Sequence, residues 1–350
     1  MTQLMLDIFP LGLVLMFLYK ARPCLKGFNE GYLDLDSCRP IRGFFALFVI
    51  IHHLSQHVLG GRILPMFVYF GNLPVALFFF FSGYGVMKKY LAKPDYGRKF
   101  IRRHLPPLII LLIFVLLVFK LLYSLGGEPH SFAQMMNMIY KGDIVLVILW
   151  YMFVIMAFYV LLAVTMKLVD SGHKLLAVMA FLCVLYIWLG ESMKMGQWWF
   201  NTCHLLVLGL AWAIYEQQIR SFLEKFYWPC LLLAALLFLL LWQYFDTLYA
   251  LWPVSAMRLI ISLFRNAAFA IAFVLMTMKL AVGNPVLDRL GTVSLELYVL
   301  HPLFLLLFRG NILWLETDFL YCVAVIAATI IAAVLLAVPN KALCSMFKKI

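Results

Sequence analysis

Apolar residues fall in successive blocks of roughly 16–24, the length a membrane-spanning helix needs, separated by short polar stretches. The first block, Leu4–Tyr19, contains Pro10 and is followed at once by Lys20, Arg22 and Lys26. A polar loop over 20–41 then leads into a helix from about Arg42 to Leu59. Asp36 and Ser37 stand just upstream, Pro40 suits its first turn, and Gly60-Gly61 closes it. Further spans are predicted at 64–87, 105–124, 144–166, 174–190, 198–215, 228–245, 258–278, 290–308 and 319–338. The pattern therefore predicts an all-α, polytopic membrane helix bundle of about 10–11 transmembrane helices. Three stretches follow: 1–35, an extra N-terminal span with a cytoplasmic loop; 36–340, the membrane domain proper; and 341–350, a cytoplasmic tail.

Composition fits this picture. Of 350 residues 65% are hydrophobic and 13% charged, and the mean hydropathy is +0.98; a soluble domain of this size needs far more polar surface. The formal charge of +12 invites a nucleic-acid reading, but its distribution argues against one. Lys and Arg concentrate in alternate loops (20–42, 88–103, 167–174, 216–225, 279–289 and the tail from Lys341), as cytoplasmic loops do. The intervening loops hold Arg62, Lys141, Lys194 and Arg309 beside Glu128, Glu191, Glu316 and Asp318. This alternation puts the N-terminus outside and the C-terminus in the cytoplasm. Met1–Asp7 carries no positive charge and no small-x-small site follows, so a cleaved signal peptide is not indicated. Seven cysteines show no C-x-x-C spacing, so neither a zinc site nor a disulfide framework is expected.

Against that apolar background a few ionisable residues stand out. Arg42 and His53 are eleven residues apart, about three full turns, so they share one stripe of a helix roughly 16 Å apart along its axis. Arg42 then lies near one membrane surface and His53 near mid-depth, where an idle imidazole is costly. His53 reads either as a neutral histidine packed between helices or as a general base for a hydroxyl proton. Arg42 reads either as a snorkelling anchor or as a clamp on a phosphate or oxyanion. His52 would point ~80° away from the Arg42 stripe. His57 and Arg62 lie farther out, as interfacial residues or substrate contacts. The basic cluster from Lys88 to Arg103 serves either topology and anionic lipid or a phosphorylated ligand. Asp34-Leu35-Asp36 looks like a metal-binding D-x-D but suits an acidic loop feeding a helix, and no metal is expected.

Five segments in order carry a resemblance. They are RGFFALFVIIHH (Arg42–His53), FFFFSGYG (Phe78–Gly85), KFIRRHLPPL (Lys99–Leu108), LWYMFVIMAFY (Leu149–Tyr159) and GTVSLELYVLHPLF (Gly291–Phe304). Together they resemble the acyltransferase-3 family of integral-membrane O-acyltransferases, including its R-x10-H signature, over about residues 36–340. The span before Arg42 is extra relative to the usual ten-helix core, and no hydrolase-like domain is appended.

The resemblance implies transfer of an acyl group, usually acetyl, from cytoplasmic acyl-CoA to a hydroxyl of a carbohydrate or envelope glycan. His53 would be the base, acting by direct attack or through an acyl-histidine, and Arg42 the donor or transition-state clamp. Lys99, Arg102 and Arg103 are the candidates for the phosphates of the donor, which is a co-substrate; no tightly bound cofactor is expected. Ser82, Trp150, Arg265, Glu296 and His301 are weaker candidates for substrate contact; Ser82-Gly83 also suits close helix packing. The expected setting is the cytoplasmic membrane of a bacterial-type cell, among membrane lipid, with no nucleic-acid partner and a homodimer left open. The competing class is a transporter or flippase for an anionic or lipid-linked solute, which would use buried Arg and His equally well. It predicts inverted repeats or broken helices in matching halves, and the sequence displays neither.

Overall fold

The computed structural model describes residues 5–93, 95–143, 145–251, 255–310 and 312–349. Leu4 and the residues before it, at the start of the first expected span, lie outside them, as do Ile144 and Ile350. The described residues are mainly helical, with one two-stranded ladder in which β1 (Arg22–Pro23) pairs antiparallel with β2 (Leu280–Ala281).

The helices in order are α1 (Ile8–Leu18), α2 (Leu35–Ser55), α3 (Asn72–Ala92), α4 (Phe100–Leu125), α5 (Phe132–Lys141), α6 (Trp150–Leu168) and α7 (Gly172–Ser192). They continue with α8 (His204–Gln243), α9 (Phe245–Leu251), α10 (Ser255–Lys279), α11 (Pro285–Gly291), α12 (Ser294–Arg309) and α13 (Asp318–Lys349). Six stretches are long and apolar enough to cross a membrane, and α11 with α12, bent by 80° at their junction, pass together as a seventh. α2 and α3 are equally long at 21 residues, but arginine, histidine and lysine make them less apolar.

The 40-residue α8 contains non-helical dihedrals at Tyr215 and Phe226, and its contacts along α10 show that it doubles back. Before the breaks, His204 lies 3.1 Å from the Leu263 carbonyl. After them, the Tyr227 hydroxyl donates to Leu275 O, Phe238 meets Phe269 and Trp242 lies under Arg265. The second arm thus runs back along α10, and α8 is two spans joined by a helical 216–225 where a loop is expected. With α2, α3 and this second arm the described residues approach the expected number of crossings. α1, about 16 Å long, is apolar but shorter than a spanning helix needs.

Boundaries differ from expectation where the backbone tightens. α2 starts at Leu35, so Pro40 sits in its second turn. Leu64–Tyr69 and Leu146–Leu149 are 3₁₀ turns preceding their helices. α13 continues through the expected tail to Lys349. α5, which the hydrophobic pattern did not single out, is framed by a Ser131/Gln134 capping box and by Gly142 at φ 90°.

Two glycine crossings set the core. A Cβ on Gly83 of α3 would stand 2.0 Å from Leu206 O of α8, and one on Gly209 would stand 2.1 Å from Phe80 O. Gly43 of α2 and Gly291 of α11 meet the facing backbone in the same reciprocal way. Such contacts bring helix backbones together where lipid supplies no hydrophobic drive for association. Gly83→Ala and Gly209→Ala are therefore expected to force α3 and α8 apart, lowering the melting temperature in detergent. An unchanged melting curve for both would contradict the crossing.

The loops sort to two ends. At one, Arg39 pairs with Asp288, Lys88 with Glu216, and Arg220 with Glu30, while Tyr90 donates to Val169 O. At the other, Asp7 accepts from the backbone N–H groups of Arg62, Ile63 and Leu64, and Arg309 pairs with Asp318. The basic loops thus gather at one end, as the charge alternation requires.

Candidate functional site

Helix α2 carries the site because it sets Arg42 and the His52-His53 pair at the two ends of an apolar stretch, residues 43–51. All three have polar surroundings. His52 is buried, with Nδ1 2.7 Å from Phe67 O. His53 is partly exposed to a cavity, with Nδ1 3.0 Å from Gln56 Oε1. Gln56 Nε2 lies 3.4 Å from His52 Nε2, so one amide touches both rings. The His53 ring stacks on His301 of α12 at 5.2 Å and 27°. His301 is fully buried; its Nδ1 donates to Leu297 O at 3.2 Å, and its Nε2 has no hydrogen-bond partner.

Two cavities approach each other along this helix. One, of about 370 Å³, opens at the basic end and is lined by Arg42, Asp34, Ser82, Lys88, Lys89, Tyr159 and Tyr298, among others. The second, about 220 Å³, belongs to the opposite half and is lined by His52, His53, Gln56, Asn72, Trp150, Trp198 and Tyr298, among others. Tyr298 is common to both. It is 3% exposed, and its hydroxyl donates to Ile148 O, which fixes the ring between them.

Arg42 is mostly buried, and its Nε has no hydrogen-bond partner. Among the described residues no carboxylate lies within ion-pair distance of it. A mostly buried guanidinium without a counterion is costly. Lys89, in the last turn of α3 beyond its apolar stretch, adds to the positive field. Burial, then the charges of Lys93, Arg103 and Arg42, holds its ammonium below the ordinary value. Lys88 is already engaged with Glu216.

The other residues singled out by sequence divide clearly. Ser82 lies in the Arg42 cavity, 2.9 Å from the Tyr159 hydroxyl, while Gly83 beside it makes the helix crossing. Trp150 lines the His53 cavity. Lys99, Arg102 and Arg103 are exposed at and before the start of α4 and do not line the Arg42 cavity.

Arg265 lies over Trp242 and Phe245 on α10, and Asn266 donates to Asn201 O; neither lines the two cavities. Glu296 is buried and accepts from Asn340 of α13 at 3.0 Å, which ties two helices together away from both cavities. Arg62 is exposed, and His57 carries a bond from Arg309 to its carbonyl. Asp36 pairs with Arg39 as part of the acidic turn feeding α2, while Asp34 reaches the Arg42 cavity wall. Among the described residues no group of three or more His, Cys, Asp or Glu is placed to hold a metal ion.

Gln56, Tyr159 and Tyr298 escape a reading of ionisable residues alone. Gln56 stands three residues after His53, one helical turn, which is the signal that could have found it. Tyr298 lies three residues before His301 on α12 and so faces the same way. Tyr159 closes the Leu-Trp-Tyr segment and has no such signal.

Comparison with known proteins supplies the family. No curated protein and no solved structure matches this chain. A family model described as an acyltransferase domain matches residues 40–338, from just before Arg42 to near the end of the last apolar span. With nearly the whole chain covered, the protein belongs to the acyltransferase-3 family and is a multi-pass membrane acyltransferase.

Proposed function

We propose that the protein moves an acyl group, acetyl in the simplest case, from acyl-CoA to a hydroxyl of a carbohydrate or other envelope acceptor. The donor would enter the cavity at the basic, cytoplasmic end, and the acceptor the cavity containing His53. The observation that carries this reading is the pair of cavities meeting at Tyr298, with an uncompensated Arg42 in one and an accessible His53 in the other.

In the step itself, His53 takes the proton of the acceptor hydroxyl as its oxygen attacks the thioester carbonyl carbon. A C–O bond forms, the C–S bond breaks, and the leaving thiolate recovers the proton from His53. Direct attack needs no acyl-enzyme. Arg42 lies about 16 Å from His53 along α2, too far to touch the reacting carbonyl, so its role is to hold an anionic part of the donor. The phosphates beyond it would meet Lys89, and Arg103 at the mouth. The aromatic rings of Trp150 and Trp198 and the amide of Asn72 suit a sugar in the acceptor cavity.

The test uses proteoliposomes of known orientation with acyl-labelled CoA on the basic-end side only. Label should reach a hydroxyl acceptor supplied on the other side and should be lost in His53→Ala vesicles. Transport of intact donor or another anion without acylation would favour the transporter reading instead.

A further inference from the structure

The chain places two imidazoles side by side on α2, and one side chain a turn later meets both. We infer that Gln56 is a positioning residue that gives the two histidines different work: it turns the His53 Nε2 lone pair toward the cavity and ties His52 into the wall. The inference rests on the reading of His53 as the base.

The argument starts from a group with only one option. The Phe67 carbonyl can only accept, so His52 Nδ1, 2.7 Å away, carries the hydrogen. In the neutral ring His52 Nε2 is then a lone pair, and it can only accept from its neighbour, the Gln56 NH₂ at 3.4 Å. This fixes the amide orientation, so Oε1 faces His53 Nδ1 at 3.0 Å. His53 must donate there, which leaves its Nε2 unprotonated.

Gln56 thus offers one donor and one acceptor to two rings with opposite demands, which neither an acid nor an aliphatic residue can do. The wall behind His52 is equally fixed: a Cβ on Gly71 would stand 2.3 Å from His52 Nε2. The titratable groups facing His53 are His52 on its own helix, His57 in the turn after it and His301 from α12. No acid among the described residues competes with Gln56 for the Nδ1 hydrogen.

The experiment compares Gln56→Met and Gln56→Glu with the parent in the vesicle assay, across pH, with His53→Ala alongside. Gln56→Met should lower kcat by about 10–100-fold, part of what a general base contributes, with the donor KM within about twofold. Gln56→Glu keeps an acceptor at His53 Nδ1 and adds a negative charge that favours the imidazolium. It should recover most of kcat in alkaline buffer and move the acid limb of the rate profile up by about one pH unit.

Parent-like kcat in Gln56→Met would overturn the inference, as would Gln56→Glu falling as far as Gln56→Met at every pH. Should Gln56→Met fail to fold, the acid limb of Gln56→Glu decides alone, and an unmoved limb counts against the role. An active His53→Ala would instead overturn the base itself. An inactive His53→Ala with an active Gln56→Met removes only the positioning role.

Discussion

His53→Ala is expected to lower acyl transfer by about 10²–10⁴-fold, the usual contribution of a positioned general base, while leaving the melting temperature close to that of the parent. His53 faces a cavity and gives up one hydrogen bond, to Gln56 Oε1, and its ring contacts with His301 and His52. His52→Ala should show the opposite signature. Its ring is buried, bonded to Phe67 O and packed on Gly71. Removing it leaves a carbonyl without its donor and a cavity, at a cost of about 1–3 kcal/mol. Its rate should fall only several-fold, through slackening of Gln56. Rate and thermal unfolding, measured on matched amounts of each variant, separate the two. A stable but inactive His52→Ala beside an active His53→Ala would mean that the neighbouring ring is the base.

The choice of His53 over His52 rests on helical geometry, since both rings line the same cavity. Eleven residues bring His53 back onto the Arg42 stripe, and both residues line cavities shared with Tyr298. The turn after the site was harder to read. Gln56 is polar but not ionisable, and its importance depends on which ring nitrogen faces it, a fact of side-chain rotamers rather than periodicity. The bundle was legible because apolar length and the alternation of Lys and Arg are strong signals in lipid.

The boundaries were less so. Leu64–Tyr69 is as apolar as the helix that follows it, so the hydrophobic pattern cannot reveal a 3₁₀ turn there. The 80° bend between α11 and α12 falls at Thr292 and Val293, which carry no proline or glycine mark of their own. Glu296 shows the limit of reading buried charge as function. Its partner, Asn340, lies 44 residues away on α13, so only the packing of two helices discloses that its carboxylate is engaged away from the cavities.

Arg42→Gln is expected to raise the donor KM by about 10–100-fold with little change in kcat, since a hydrogen bond to a charged group contributes roughly 1.5–3 kcal/mol. The same substitution should make the ligand-free protein slightly more stable, because it removes a buried guanidinium that no described carboxylate compensates. Gain of stability with loss of donor affinity is the mark of a charge kept for a ligand. The Arg102→Ala/Arg103→Ala pair offers the contrast. Both side chains are exposed, so solvent screens them and the donor KM should rise only about threefold in dilute buffer. That ratio should shrink as salt is added, because ions already weaken the parent's contacts there. The Arg42→Gln ratio should persist, since a cavity wall excludes most of the screening. Steady-state kinetics at two ionic strengths decides between the roles. A fall in kcat without a rise in KM would move Arg42 from the donor to the transition state and bring the acyl group much nearer the basic end than His53.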